Sequence, residues 1–161
     1  MMRKAVKFIH SIASCGMIGA LLAYLILLQY GPQDTPAQYA DTRKAISVLC
    51  DVMLVPSMAL ALVSGFISML AHKPYQQKGW VWVKALTTIG IFEATMAVVQ
   101  SKSTFAADVS AKIARGEAGP NALLELEREW GAIAVVMTLA VANVLIAVWR
   151  PRIEKWGKHT G

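Results

Sequence analysis

Charged side chains are scarce in this sequence. Asp, Glu, Lys and Arg together make up 16% of its 161 residues, whereas 56% of the residues are hydrophobic. Soluble domains contain about 25% charged residues. The shortage of charge excludes an ordinary soluble domain, and the chain is too short to carry a separate catalytic domain beside a membrane bundle.

Cysteine is also scarce. The chain has two, Cys15 and Cys50, and neither stands in a CxxC motif or at a Cys-His spacing typical of metal ligands. This pattern excludes a disulfide framework. The sequence also lacks a phosphate-binding glycine loop, an internal repeat and a low-complexity tract.

Four apolar windows are the main feature that the sequence does have. Each is about twenty residues long and almost uncharged, which suits a hydrocarbon core about 30 Å thick. We predict an all-α fold, a polytopic four-helix membrane bundle that forms a single domain with a helical hairpin between its third and fourth spans. Pro56 lies inside the second window and predicts a bend there. The predicted spans are 8–29, 46–71, 80–100 and 130–149, and the predicted hairpin is 101–129.

Lys and Arg residues beside the windows indicate the orientation. Nine flank one side of the bundle, and six flank the other side, where acidic residues are interleaved with them. The positive-inside rule then predicts that both termini are cytoplasmic and that the hairpin lies on the outer face. We interpret the net charge of +6 as a topology signal and not as a nucleic-acid-binding surface.

Five ionisable residues lie at membrane depth, where each costs at least ~2.5 kcal/mol near a helix centre. They are His10, His72, Lys84, Asp51 and Glu93. A rise of ~1.5 Å per residue places the two histidines and the lysine in the cytoplasmic leaflet and the two carboxylates toward the other leaflet. Because imidazole binds haem iron or copper, the first group predicts a cofactor or metal site. The carboxylates predict a proton path.

Each of these residues also has a structural interpretation. His72 stands where it can cap the second span, Lys84 can extend to the headgroups, and His10 can make a hydrogen bond between helices. Asp51 can accept hydrogen bonds near Pro56. The eight methionines suit Cu(I), but they form no MxxM cluster, which favours ordinary core packing.

Short motifs stand at the ends of the predicted spans and inside them. They are Lys7-Phe8-Ile9-His10, Gly16, Gly19, Pro56, Gly65, Gly79-Trp80-Val81-Trp82-Val83-Lys84 and Trp149-Arg150-Pro151-Arg152. In these motifs the sequence resembles three groups of small bacterial membrane proteins: the HemJ-type protoporphyrinogen oxidases, the copper-resistance D family and an uncharacterised family of predicted integral membrane proteins. The resemblance covers most of the bundle and implies a multi-pass protein of the bacterial inner membrane.

The resemblance to HemJ-type proteins implies b-type haem, with His10 as an axial ligand or porphyrin contact and Lys84 as its partner. We therefore expect a haem or related porphyrin between His10 and Lys84, or between His10 and His72, in a protein that supports membrane redox chemistry. Four basic residues are available for the propionates, namely Lys7, Lys73, Lys78 and Arg150.

Two other functions stay open. One is copper handling, with His10 and His72 as candidate metal ligands. The other is a non-catalytic membrane subunit that docks a partner through its outer segment, Ser101 to Trp130. The expected surroundings are the lipid bilayer together with a second copy or a membrane redox partner.

Overall fold

A computed structural model describes residues 2–70, 79–126 and 129–149. Almost all of these residues are helical. A π-helical turn, Cys50–Leu54, joins the second helix to the third, another, Thr95–Gln100, joins the fourth to the fifth, and a short 3-10 helix covers Pro120–Leu126. The α-helices are α1 Met2–Tyr30, α2 Pro36–Leu49, α3 Val55–Leu70, α4 Gly79–Ala94, α5 Ser101–Ala114 and α6 Glu129–Trp149.

Four helical stretches in the described residues are long and apolar enough to cross a membrane. The prediction of an all-α, polytopic four-helix fold is therefore confirmed. α2 and α3 form one stretch, and α4 and α5 form another. Large apolar side chains such as Phe8, Leu60, Leu86 and Val135 are exposed on the outside of the bundle, where a bilayer would cover them. The orientation, with both termini inside, stays a prediction.

The second spanning helix begins at Pro36, well before the predicted start at residue 46. Thr35 caps it, because its Oγ1 accepts a hydrogen bond from the Gln38 amide at 3.2 Å. Pro36 follows in the first turn, where a missing N–H breaks no helical hydrogen bond. The helix therefore extends beyond the apolar window.

The extensions of the second and third spans pack against each other. α5 buries four small or β-branched side chains, and α2 is its main neighbour. Small side chains allow two helices to approach closely. The segment predicted as a hairpin over 101–129 thus packs on α2, and Pro120–Leu126 packs on α5. We call α2, α5 and this 3-10 helix the helical head.

The first π-helical turn ends at Leu54, two residues before Pro56. The Val55 amide donates to the Cys50 carbonyl, which widens the turn by one residue. Pro56 has no N–H to donate, and wider turns are found where the regular hydrogen-bond ladder is interrupted. The structure thus has an irregular turn next to the proline that predicts a bend.

Gly31 closes the turn between α1 and α2, and its amide donates to the Leu27 carbonyl at 2.9 Å. A Cβ atom at Gly31 would lie 2.5 Å from Thr42 Cγ2 and would overlap the Leu27 carbonyl oxygen. We expect Gly31→Ala to lower the free energy of unfolding by about 1–3 kcal/mol, as overpacking does. Unfolding in mixed detergent micelles measures this. Gly119→Ala is the control, because a Cβ there meets nothing within 4 Å; equal losses in both variants would contradict the steric explanation.

The apolar core lies in the half of the bundle next to the helical head. It brings together side chains from α1, α2, the first π-turn and α6, including the fully buried Leu21, Ile46, Leu54 and Ile133. Two adjoining cavities formed by described residues lie beside this core. Each has mostly apolar walls with a few polar side chains from several helices.

Candidate functional site

The imidazole of His10 is fixed by α3. Its Nδ1 lies 2.9 Å from the Ala61 carbonyl oxygen and 3.0 Å from Ser64 Oγ. A carbonyl oxygen only accepts, so Nδ1 must carry the hydrogen. Ser64 donates its own hydrogen to the Leu60 carbonyl at 2.5 Å, which leaves its oxygen free to accept from the ring as well. In the neutral imidazole Nε2 therefore has an unused lone pair.

Small residues on α3 make room for the ring. A Cβ atom on Gly65 would lie 3.5 Å from His10 Cε1, which is ordinary van der Waals contact. At Gly16 a Cβ would lie 2.6 Å from Ser57 Oγ, so α1 and α3 approach closely there too. The close approach explains how a side chain of α1 reaches a backbone carbonyl of α3.

Lys84 enters the same region from α4. Its side chain is partly buried and lines the same two cavities as His10. Among the described residues it has no hydrogen-bond acceptor and no ion-pair partner. The structure thus brings the predicted imidazole and the predicted amine to one place.

The larger cavity has a volume of about 260 Å³ and is open on one side. Its walls are mostly apolar and come chiefly from α1, α3 and α4, with one residue of α6. His10 and Lys84 line it, and Lys7 stands at its edge with an exposed side chain. An apolar cavity with a few convergent polar groups is the usual form of a ligand site.

The smaller cavity, of about 50 Å³, adjoins the larger one. The two share His10, Ala61, Lys84 and Thr88. Asn143 of α6 reaches this space, where its Nδ2 donates to Thr88 Oγ1 at 2.7 Å. The site is therefore built by all four spanning helices.

Asp51 and Glu93 lie elsewhere. Both side chains are exposed, and neither lines either cavity. Asp51, in the first π-turn, accepts a hydrogen bond from the Gln100 side chain, which belongs to the second π-turn. The predicted proton path through these carboxylates stays a prediction.

Several predicted site residues lie outside the described residues. They are His72, Lys73, Lys78 and Arg150. Within the described ranges, no three His, Cys, Asp or Glu side chains converge to hold a metal ion. In that part of the chain, His10 would be a single histidine ligand.

Two buried polar groups are absent from the sequence predictions. Asn143 stands alone as a carboxamide in the last apolar window, and that isolation is the signal that marks it. The other group is an ion pair in which Arg43 Nη1 donates to both carboxylate oxygens of Glu129, at 2.8 and 2.7 Å. Tyr24 also donates to this carboxylate, at 2.5 Å. This cluster of Tyr24, Arg43 and Glu129 joins α1, α2 and α6, and none of its three residues lines either cavity.

Comparisons with curated proteins and with solved structures found no match to the chain. The model of one family, described as "Predicted integral membrane protein (DUF2269)", matches residues 4–151. That match covers the four apolar helices and the site between them. The chain belongs to this family of multi-pass integral membrane proteins.

Proposed function

We propose that the protein binds haem b or a related porphyrin in the larger cavity and supports redox chemistry in the bacterial inner membrane. One observation carries the proposal. The Ala61 carbonyl accepts the Nδ1 hydrogen of His10, so Nε2 keeps the lone pair that binding to a haem iron would need. Metal-binding histidines are commonly oriented in this way by a carbonyl acceptor.

The cavity fits part of such a group. Pockets that enclose most of a drug-sized ligand measure about 300–1,000 Å³, and this cavity is slightly smaller, at about 260 Å³. Because the cavity is open on one side, a tetrapyrrole bound there would be only partly enclosed by the described residues. The mostly apolar walls suit the macrocycle, and a lone histidine suffices as a protein ligand because the ring supplies four nitrogens.

The residues around the cavity would bind different parts of the haem. His10 would hold the haem iron through Nε2. Lys84, as an ammonium, and Lys7 at the edge would bind the propionates. A bound haem supplies one-electron chemistry, whose potential the axial ligand and the surrounding dipoles tune.

Purification in a mild detergent followed by an absorption spectrum tests the proposal. We expect a Soret band in the wild type, its loss in His10→Ala, and its retention in His159→Ala, a histidine outside the predicted site. His72→Ala shows whether that histidine is a second ligand. A colourless wild-type protein, or a full Soret band in folded His10→Ala, would refute haem binding.

Copper handling is the second candidate function, and one observation favours it. The smaller cavity is lined by His10 together with Met17 and Met58. Thioether sulfur and imidazole are ligands that Cu(I) accepts. Stoichiometric copper without porphyrin in the same preparation would favour this function over haem binding.

A further inference from the structure

Two polar residues line the smaller cavity, one with an acceptor that lacks a donor and one with donors that lack an acceptor. Asn143 is 8% exposed, and its Oδ1 is buried without a hydrogen-bond partner among the described residues. Lys84 lines the same cavity and has three N–H donors with no acceptor in that part of the chain. An unpaired buried acceptor costs about 1–3 kcal/mol, so a missing partner needs an explanation.

The hydrogen bonds around Thr88 fix the orientation of the Asn143 amide. Thr88 donates its hydroxyl hydrogen to the Lys84 carbonyl at 2.8 Å. Its oxygen can therefore only accept from Asn143, so the NH₂ group must face Thr88. Oδ1 consequently faces away from Thr88 and is a true acceptor without a donor.

We propose that the smaller cavity binds an ordered water molecule that accepts from the Lys84 ammonium and donates to Asn143 Oδ1. A cavity needs about 10–15 Å³ of space open to a water-sized sphere to hold one water molecule, which in turn needs two to four polar partners. The cavity offers about 50 Å³. Ser14 also lines it and donates its hydrogen to the His10 carbonyl, which leaves its oxygen as a second acceptor for the water.

Through this water, Asn143 acts as a positioning residue for Lys84. A lysine near a helix end tends to extend to the headgroups. The bridge through the water to Asn143 keeps the Lys84 amine inside the bundle, in the cavity that His10 also lines. The inference goes beyond the proposed function, because it stands on these side chains and the cavity and holds with or without a porphyrin in the larger cavity.

Solid-state NMR of the protein in lipid bilayers, without added pigment, tests the inference. We expect the Lys84 Nζ signal, assigned by its absence in Lys84→Met, to show contact with a slowly exchanging water. Asn143→Leu should remove this contact. It should also raise the rate at which an amine-reactive reagent modifies Lys84 by about fivefold, the ratio expected from losing one hydrogen bond.

Two variants are matched controls. Asn143→Gln keeps both an acceptor oxygen and an NH₂ donor on a side chain one methylene longer, and should retain the water contact. Thr138→Val, at an exposed position on the same helix, should change neither measurement. A folded Asn143→Leu protein with the wild-type signal and labelling rate would overturn the inference. If that variant does not fold, the wild-type spectrum alone is the test. A Lys84 Nζ signal without any contact to a slowly exchanging water would also overturn the inference.

Discussion

Replacing Arg43 with alanine is expected to lower the free energy of unfolding by about 3–5 kcal/mol, the usual result of leaving one partner of a buried ion pair without the other. Arg43 and Glu129 are 7% and 3% exposed. Without the guanidinium, the Tyr24 hydroxyl would be the one hydrogen-bond partner left to the carboxylate among the described residues. The loss is large because the remaining charge cannot reach water while the helices stay packed.

The geometry of the pair supports an effect of this size. One guanidinium nitrogen contacts both carboxylate oxygens, and Arg43 Nε donates to the Tyr39 hydroxyl at 2.9 Å. Charge-assisted hydrogen bonds are roughly twice as strong as neutral ones. Because α1, α2 and α6 each contribute a side chain, the cluster ties the helical head to two of the spanning helices.

Unfolding in mixed detergent micelles measures the effect, and the chain offers a matched control. Arg115 pairs with Glu117 at 2.7 Å on the surface of the helical head, where both side chains are more than half exposed. Arg115→Ala should leave the unfolding curve unchanged, because exposed pairs contribute little. An equal shift in Arg43→Ala and Arg115→Ala would show that burial does not matter.

A double variant separates the ion pair from general packing. Arg43→Met combined with Glu129→Leu removes both charges and keeps apolar volume. We expect it to recover most of the stability that Arg43→Ala loses, since buried pairs are often replaceable by apolar side chains. A double variant as unstable as Arg43→Ala would assign the loss to packing.

The buried cluster of Tyr24, Arg43 and Glu129 could not be predicted from the sequence, for a physical reason. Glu129 follows Glu125, Glu127 and Arg128, so composition predicts a solvated stretch and does not show which carboxylate turns inward. The Thr35-Pro36 pair is the local signal that was available, because it is typical of a helix start. A helix beginning there carries Arg43 on a packed face.

The sequence predicts the four spans and the depth of the site in the membrane better than it predicts which side chains face the inside of the bundle. Hydropathy finds membrane helices because backbone polar groups must be satisfied within each span. The rise per residue then predicts that His10 and Lys84 lie at one level. The rotation of each helix is not fixed in this way. Asp51 and Glu93 therefore prove to be exposed, whereas Asn143 turns inward.

Gly65→Leu is expected to reduce the proposed binding of a porphyrin by at least about tenfold, although every proposed ligand remains. A Cβ at this position already lies in contact range of His10 Cε1, at 3.5 Å. A larger side chain must therefore displace the imidazole or fill the larger cavity, which Gly65 also lines. Gly65→Ala adds only the contact that the space allows and should retain the pigment, with a slightly more stable helix.

The absorbance ratio of the Soret band to protein in purified samples measures both variants, and detergent unfolding checks that each is folded. The comparison is sharper than removal of His10, because leucine and alanine differ at one position only by side-chain volume. A full Soret band in folded Gly65→Leu would place any pigment away from this cavity. Equal loss in both variants would show that the position is sensitive to any side chain, and steric exclusion from the cavity would then fail as the explanation.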